Sequence, residues 1–114
     1  MNASEKLAQS LRRTQAFSKA VPGNMADLFG YIRTGFENAA PLDAKMLQLI
    51  ILAASVARDS EDGILQHTKM FIDAGGDRET LVSALNAVVM AGGGLAWGSA
   101  GYALEVFDEL SEAK

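Results

Sequence analysis

Apolar residues recur at intervals of three and four positions through most of this chain, which is the spacing of one face of an α-helix. The first such stretch covers residues 4–21 and the second covers residues 24–38. A third has an almost unbroken apolar run at residues 46–56, which predicts a central, buried helix. Further stretches cover residues 60–74 and 77–91, and a last helix is expected around Trp97 to Leu110.

Short polar residues stand near the start of four of these stretches, where an N-cap side chain accepts a hydrogen bond from the first helical turn. The predicted N-caps are Asn24, Asp43, Ser60 and Asp77. Proline and glycine residues separate the stretches, as expected at helix ends. No alternation of period two is bounded by turn residues. The pattern therefore predicts an all-α fold of about six helices with no sheet.

The length of the chain limits the number of domains, and its net charge limits the kinds of partner it is expected to bind. A chain of 114 residues fits one domain, since a single core is normally sufficient up to roughly 250 residues. The formal net charge is −4, and the basic residues are scattered. Nucleic-acid affinity comes largely from Lys and Arg that neutralise phosphates, so DNA and RNA are not expected partners.

The chain contains no cysteine, which excludes disulfides, thiolate metal sites and thiol catalysis. One histidine with scattered carboxylates provides no recognisable set of metal ligands, and we predict no metal and no cofactor. The first residues lack the apolar segment of a secretory signal, and no run of about 20 apolar residues is seen. We therefore expect a cytoplasmic protein that does not enter a membrane.

From Leu42 onward, many individually weak matches follow the pattern of a known family. They are Leu42-Asp43-x-Lys45, Leu49-Ile50 with Leu52-Ala53, His67, Gly75, Glu79, Leu81, Gly92-Gly93-Gly94 and Ala103-Leu104-Glu105. Their spacing resembles the carboxymuconolactone decarboxylase and alkylhydroperoxidase D superfamily. The resemblance implies an alkylhydroperoxidase D-like helical bundle, a family core at residues 42–105, and an N-terminal helical arm at residues 1–40. It also implies a homo-oligomer, a trimer or a hexamer.

Peroxidases of that superfamily use a Glu, a CxxC pair and a His four residues after the second Cys. The matching positions in this sequence are Gln48, Ser60, Gly63 and His67. Peroxide reduction needs one thiolate as nucleophile and a second thiol to resolve the sulfenic acid, so thiol peroxidase activity is excluded. The decarboxylase branch works without the CxxC pair, and a His in an apolar pocket is able to deliver a proton to a carbanion or enolate.

Each candidate residue also has a structural interpretation. His67 lies inside a predicted helix and is either the proton-transfer group or a packed side chain. Ser60 is expected to cap a helix rather than act as a nucleophile, because no strand-to-helix elbow surrounds it. Gln48 orients a substrate or bonds within the helix, since an amide does not exchange protons at neutral pH. Lys45 and Asp43 also match the family pattern, although residues at a helix N-terminus more often serve in capping and surface pairing.

Glycine and aromatic residues near the C-terminus suggest packing or a pocket. The run Gly92–Gly94 lacks the Lys-Ser or Lys-Thr and the strand of a phosphate loop, so it is expected to let helices approach closely. Trp97 and Tyr102 are candidates for a pocket entrance. The sequence as a whole predicts a small-molecule enzyme in which His67, with Gln48 and Ser60 in the same pocket, transfers a proton on an organic acid or lactone. The alternative is a non-catalytic oligomeric module.

Overall fold

The computed structural model describes residues 1–112 and contains six α-helices within them. A short 3₁₀ turn at Gly93–Ala96 joins the last two helices, and no strand occurs in the described range. The all-α prediction is therefore confirmed. The helices are α1 (Ala3–Ala20), α2 (Pro22–Glu37), α3 (Ala44–Ala57), α4 (Glu61–Asp73), α5 (Arg78–Gly92) and α6 (Trp97–Glu112).

Three of the predicted N-caps are confirmed by their hydrogen bonds. The side chains of Asp43, Ser60 and Asp77 each accept from the backbone N–H three residues further on, at 2.8, 3.1 and 3.0 Å. Each cap satisfies one of the donors that a helix leaves unpaired in its first turn. These local signals therefore fix the starts of α3, α4 and α5.

The predicted cap at Asn24 is wrong, because α2 begins two residues earlier at Pro22. Proline suits the first helical position, since its fixed φ matches the helix and its missing N–H would have no partner there. Val21 precedes it and provides no side-chain cap. The periodic pattern located this helix, but the proline rather than the asparagine determines where it starts.

The core lies mainly between α3 and α4, which contact each other along most of their length, and it is completed by α5 and α6. Apolar burial of this kind contributes about 25 cal/mol per Å² removed from water. The expectation that α3 is buried holds for only one face, because Met46 and Ile50 are exposed. The most buried large side chains are Leu52, Val56, Ile64, Leu65, Phe71, Leu81 and Val106.

A polar cluster attaches α1 to α4. The fully buried Ser10 hydroxyl donates to Asp62 at 2.6 Å, and Arg13 donates to the same carboxylate at 2.9 Å. Gln66 donates to the Ser10 oxygen at 2.9 Å. The hydrogen bond from Ser10 and then that from Arg13 lower the pKa of Asp62 below its ordinary value. These hydrogen bonds, together with Ala3 and Leu7 packed on the core, therefore position the N-terminal helix.

Helix α2 has no buried residue, although its sequence is rich in large apolar side chains. Within residues 1–112, its most extensive contact is with α1. Contiguous exposed apolar surface on a soluble protein commonly marks an interaction site. The exposed large apolar residues of α2 are Leu28, Phe29, Tyr31, Ile32 and Phe36.

The stretch Arg78–Glu112 is long and apolar enough to cross a membrane by length and composition, which the sequence analysis did not find. In the structure it is folded back on itself. Gly93 has a φ of +66°, a conformation that favours glycine, and α5 contacts α6 beyond the turn. The core helix of a soluble protein can have the same length and apolar composition, so this stretch is weak evidence for a membrane span. Only 17% of its apolar window is buried, so it presents apolar surface on the outside.

Candidate functional site

The structure brings His67 and Gln48 together across the contact between α3 and α4. His67 Nδ1 lies 2.9 Å from Gln48 Oε1, within hydrogen-bonding distance. Both side chains are half-buried. The two residues are 19 positions apart in the sequence, so their pairing is a consequence of the helix packing.

The hydrogen bond determines which ring nitrogen is free. An amide oxygen only accepts, so with Gln48 Oε1 facing the ring, Nδ1 carries the proton and donates it. Neutral imidazole has one proton, which leaves the Nε2 lone pair as the acceptor. Burial lowers the pKa of His67 below its ordinary value of 6.5. The ring is therefore neutral at pH 7, with Nε2 as a base.

Ser60 caps α4 through its hydroxyl oxygen, which accepts from the Gly63 N–H at 3.1 Å. It precedes His67 by seven residues, which is about 10.5 Å along a helix at 1.5 Å per residue. The hydroxyl has a structural role, and the structure shows no hydrogen bond from it to the imidazole. The predicted grouping of three side chains is thus observed as one pair and one separate helix cap.

Gly63 is held tightly against α3. A Cβ atom at this position would lie 2.5 Å from Ser55 Oγ and 2.9 Å from Ser55 Cβ. The Ser55 hydroxyl donates to the Ile51 carbonyl at 3.0 Å, so moving it away would break a hydrogen bond. Any side chain at residue 63 must displace this serine, and the close approach explains why a glycine is found in the first turn of α4.

Four clefts lie elsewhere in residues 1–112, and His67 lines none of these four. An apolar cleft of about 250 Å³ lies between α5 and α6 and includes Leu85, Val89, Trp97 and Leu104. A polar cleft of similar volume includes Lys6, Asp59, Glu61, Ser99 and Tyr102. Trp97 and Tyr102, which were considered together as a pocket entrance, therefore line different clefts.

The Gly92–Gly94 run permits less close packing than expected. A Cβ atom at Gly92 would lie 3.3 Å from Ala96 Cβ, whereas Gly93 and Gly94 have nothing within 4 Å. Gly93 is required for its positive φ instead. Within residues 1–112, no group of three or more His, Cys, Asp or Glu side chains is placed to hold a metal ion.

The fold and site together define an all-helical, cysteine-free domain with a neutral histidine held by an amide in its central helix pair. The family model for the carboxymuconolactone decarboxylase family matches residues 22–109, and the chain belongs to that family. The match includes α2 and therefore begins before the predicted core at residue 42.

A solved structure supports the same assignment. The apo crystal structure of a carboxymuconolactone decarboxylase family protein from Legionella pneumophila is similar to this chain with a TM-score of 0.85. The two sequences are 28% identical, and the similarity covers 96% of each chain. No functionally curated protein matches this chain.

Proposed function

We propose that this protein is an enzyme of the decarboxylase-like branch of its family, in which His67 transfers a proton on a small organic acid or lactone. The observation that supports it is the contact between His67 Nδ1 and Gln48 Oε1 at 2.9 Å. The contact holds the ring in one tautomer, so that Nε2 is a defined proton acceptor. Family membership supports the class of reaction.

The physical environment suits proton transfer on a carbon acid. Half-burial keeps the imidazole neutral and ready to accept a proton at pH 7. When Nε2 takes a proton from the substrate, the imidazolium is stabilised by the Nδ1–H bond to Gln48. Returning that proton to another atom of the substrate, or to an enolate left by decarboxylation, restores the neutral ring. In this proposal Gln48 is a positioning residue, and Ser60 contributes as the cap of α4.

Thiol peroxidase activity is not part of the proposal, because the chain contains no cysteine. Peroxide reduction requires a sulfur nucleophile and a second thiol to resolve the oxidised product. A thiol at residue 63 would also have to displace the Ser55 side chain.

A panel of small lactones and carboxylic acids tests the proposal. We expect turnover of at least one compound by the wild-type protein. His67→Gln should lower kcat by 10²–10⁴-fold, the usual contribution of general acid–base catalysis. Gln48→Leu should shift the pH profile as well as kcat, because it removes the partner that fixes the tautomer. Gln15→Leu, on the exposed surface of α1, is the matched control.

The second candidate is a non-catalytic oligomeric module. It is favoured by the replacement of the peroxidase Glu and CxxC positions by Gln48, Ser60 and Gly63. The same panel distinguishes the two candidates. Turnover that survives His67→Gln unchanged would contradict proton transfer by His67, and binding without turnover across the panel would favour the module.

In this proposal the protein is a homo-oligomer, either a trimer or a hexamer, and it acts in the cytoplasm. It is supported by the exposed apolar residues of α2 and by the apolar cleft between α5 and α6. Trp97 lines that cleft and is 71% exposed in the single chain. Light scattering coupled to size-exclusion chromatography measures the assembly, and a monomer at micromolar concentration would contradict it.

A further inference from the structure

A narrow apolar groove lies between α2 and α3. It is lined by Ile32, Gly35 and Phe36 on α2 and by Leu47 and Ile51 on α3. Its volume is about 160 Å³, equivalent to roughly five water molecules. None of these five lining residues carries a charge or a polar side chain. The groove therefore suits an apolar group of a few carbon atoms.

The α2 wall of this groove is incompletely packed. Ile32 and Phe36 are 40% and 41% exposed, although both are large apolar residues. Gly35 leaves the space beside them unfilled, because nothing lies within 4 Å of the Cβ position there. Covering apolar surface of this kind with another apolar group is favourable, since it removes both from water. The groove thus combines free space with walls that an apolar ligand would cover.

The groove lies beside the pair formed by His67 and Gln48. Gln48 faces α4, where its amide oxygen meets the imidazole, and Leu47 directly precedes it on α3. Ile51 follows Gln48 by three residues, and side chains at this spacing are neighbours on a helix, with about 5–6 Å between their Cβ atoms. The groove and the imidazole are therefore on adjacent faces of the same helix.

We propose that this groove binds the alkyl chain of the substrate, and that the preferred substrate is an acid or lactone with a side chain of about four to six carbon atoms. The inference rests on the proposed function, because it takes the reacting carbon to lie at His67 Nε2. Phe36 and Ile51 are then specificity-determining residues. A dicarboxylic acid fits less well, since its second carboxylate would lose hydration among side chains that offer no hydrogen bond.

Four γ-lactones that differ only in their alkyl side chain test the groove through binding. They are γ-valerolactone, γ-octalactone, γ-decalactone and γ-dodecalactone, which carry methyl, butyl, hexyl and octyl chains. Amide chemical shifts of the full chain give Kd, and a ¹⁵N-edited spectrum follows the His67 ring. Burying one methylene contributes about 0.8 kcal/mol, which corresponds to about fourfold in Kd. We expect Kd to tighten by about this factor per methylene up to butyl and to level off between hexyl and octyl, when the groove is full.

Two glycines of α2 provide a variant and its matched control. Gly35→Leu fills the groove, so it should weaken Kd for γ-decalactone by about tenfold or more and flatten the dependence on chain length. Gly30 lies on the same helix, outside the groove, and also has nothing within 4 Å of its Cβ position. Gly30→Leu should leave the series unchanged. Both variants should keep or raise Tm, since leucine is the better helix former.

Three outcomes would overturn the proposal. Equal Kd for the methyl and hexyl lactones would show that no chain is bound. Tightening that continues to octyl and is the same in Gly35→Leu would show general adsorption to apolar surface. Chain-dependent binding with no change in the His67 resonances would show that the groove does not serve this site.

Failure of the groove and failure of the proposed function are distinguishable. Turnover that depends on His67 but not on chain length would overturn the groove alone. Chain-dependent binding beside His67 without turnover of any lactone or acid would support the groove and contradict proton transfer. A lower mass of Gly35→Leu in light scattering, with lactone binding unchanged, would show that a second copy of the chain occupies the groove instead.

Discussion

Replacement of Gly63 by alanine tests whether the α3 and α4 backbones are held together as closely as the structure shows. The added Cβ would lie 2.5 Å from Ser55 Oγ and 2.9 Å from Ser55 Cβ, well inside van der Waals contact. Overpacking of a tight contact typically costs about 1–3 kcal/mol. Alanine recovers at most about 1 kcal/mol through its better helix propensity. We expect Gly63→Ala to be destabilising by about 1 kcal/mol.

A matched control and a double-mutant cycle make this expectation specific. Gly30 lies in the interior of α2 with nothing within 4 Å of its Cβ position, so Gly30→Ala should be stabilising by about 0.5–1 kcal/mol. Ser55→Ala removes the closer of the two contacts with residue 63. The double variant Ser55→Ala/Gly63→Ala should therefore show a favourable coupling of about 0.5 kcal/mol or more.

Urea denaturation of the four variants and the wild type measures these differences in free energy of unfolding. The reasoning would be refuted if Gly63→Ala were as stabilising as Gly30→Ala, or if the two substitutions at Ser55 and Gly63 were additive. The same contact predicts that Ser60→Cys/Gly63→Cys is destabilised and gains no thiol peroxidase activity.

The remaining predictions concern charge, capping and assembly. Gln48→Glu places a carboxylate beside the His67 ring and should raise the pKa of the imidazole by about 1 pH unit or more. NMR of this residue, the only histidine in the sequence, measures the change. The control Gln15→Glu should leave the pKa of the imidazole unchanged. Because burial lowers the pKa of His67, the unfolded chain binds a proton first as the pH falls below 6.5. The wild type should therefore lose stability from pH 6.5 to 5, and His67→Gln should lose less by thermal denaturation. Ser60→Ala removes the cap of α4 and should cost about 1 kcal/mol while leaving any lactone turnover in place. Trp97→Ser should shift the assembly measured by light scattering toward smaller species, and an unchanged mass would remove the α5–α6 cleft from the interface.

Local signals in the sequence predicted the helices because each depends on neighbouring residues only. Asp43, Ser60 and Asp77 cap helices through bonds to residues three positions away. The start of α2 was predicted wrongly at Asn24 because two local signals disagreed. The proline at the first helical position, rather than the capping side chain of Asn24, sets the start of the helix. The prediction of about six helices follows from the same periodicity and is confirmed.

Only the pairing of Gln48 with His67 was predicted for the candidate site, and that prediction came from the family pattern. Gln48 and His67 are joined by packing between two helices, which periodicity does not specify. The polar cleft is lined by residues 6, 59, 61, 99 and 102. Their spacing in the sequence follows no motif, so the sequence does not predict that they come together. The exposed apolar face of α2 was also not predicted, because an amphipathic pattern does not show whether a neighbour in the same chain covers it.

The protonation of the His67 ring tests the central claim most directly, and a ¹⁵N-edited spectrum of the imidazole in the wild-type protein at pH 7 measures it. The account predicts a neutral ring protonated at Nδ1, with the Nε2 resonance shifting when a substrate lactone or acid binds. A ring that is protonated at Nε2 alone, or charged at both nitrogens, would contradict the role of His67 as a base positioned by Gln48.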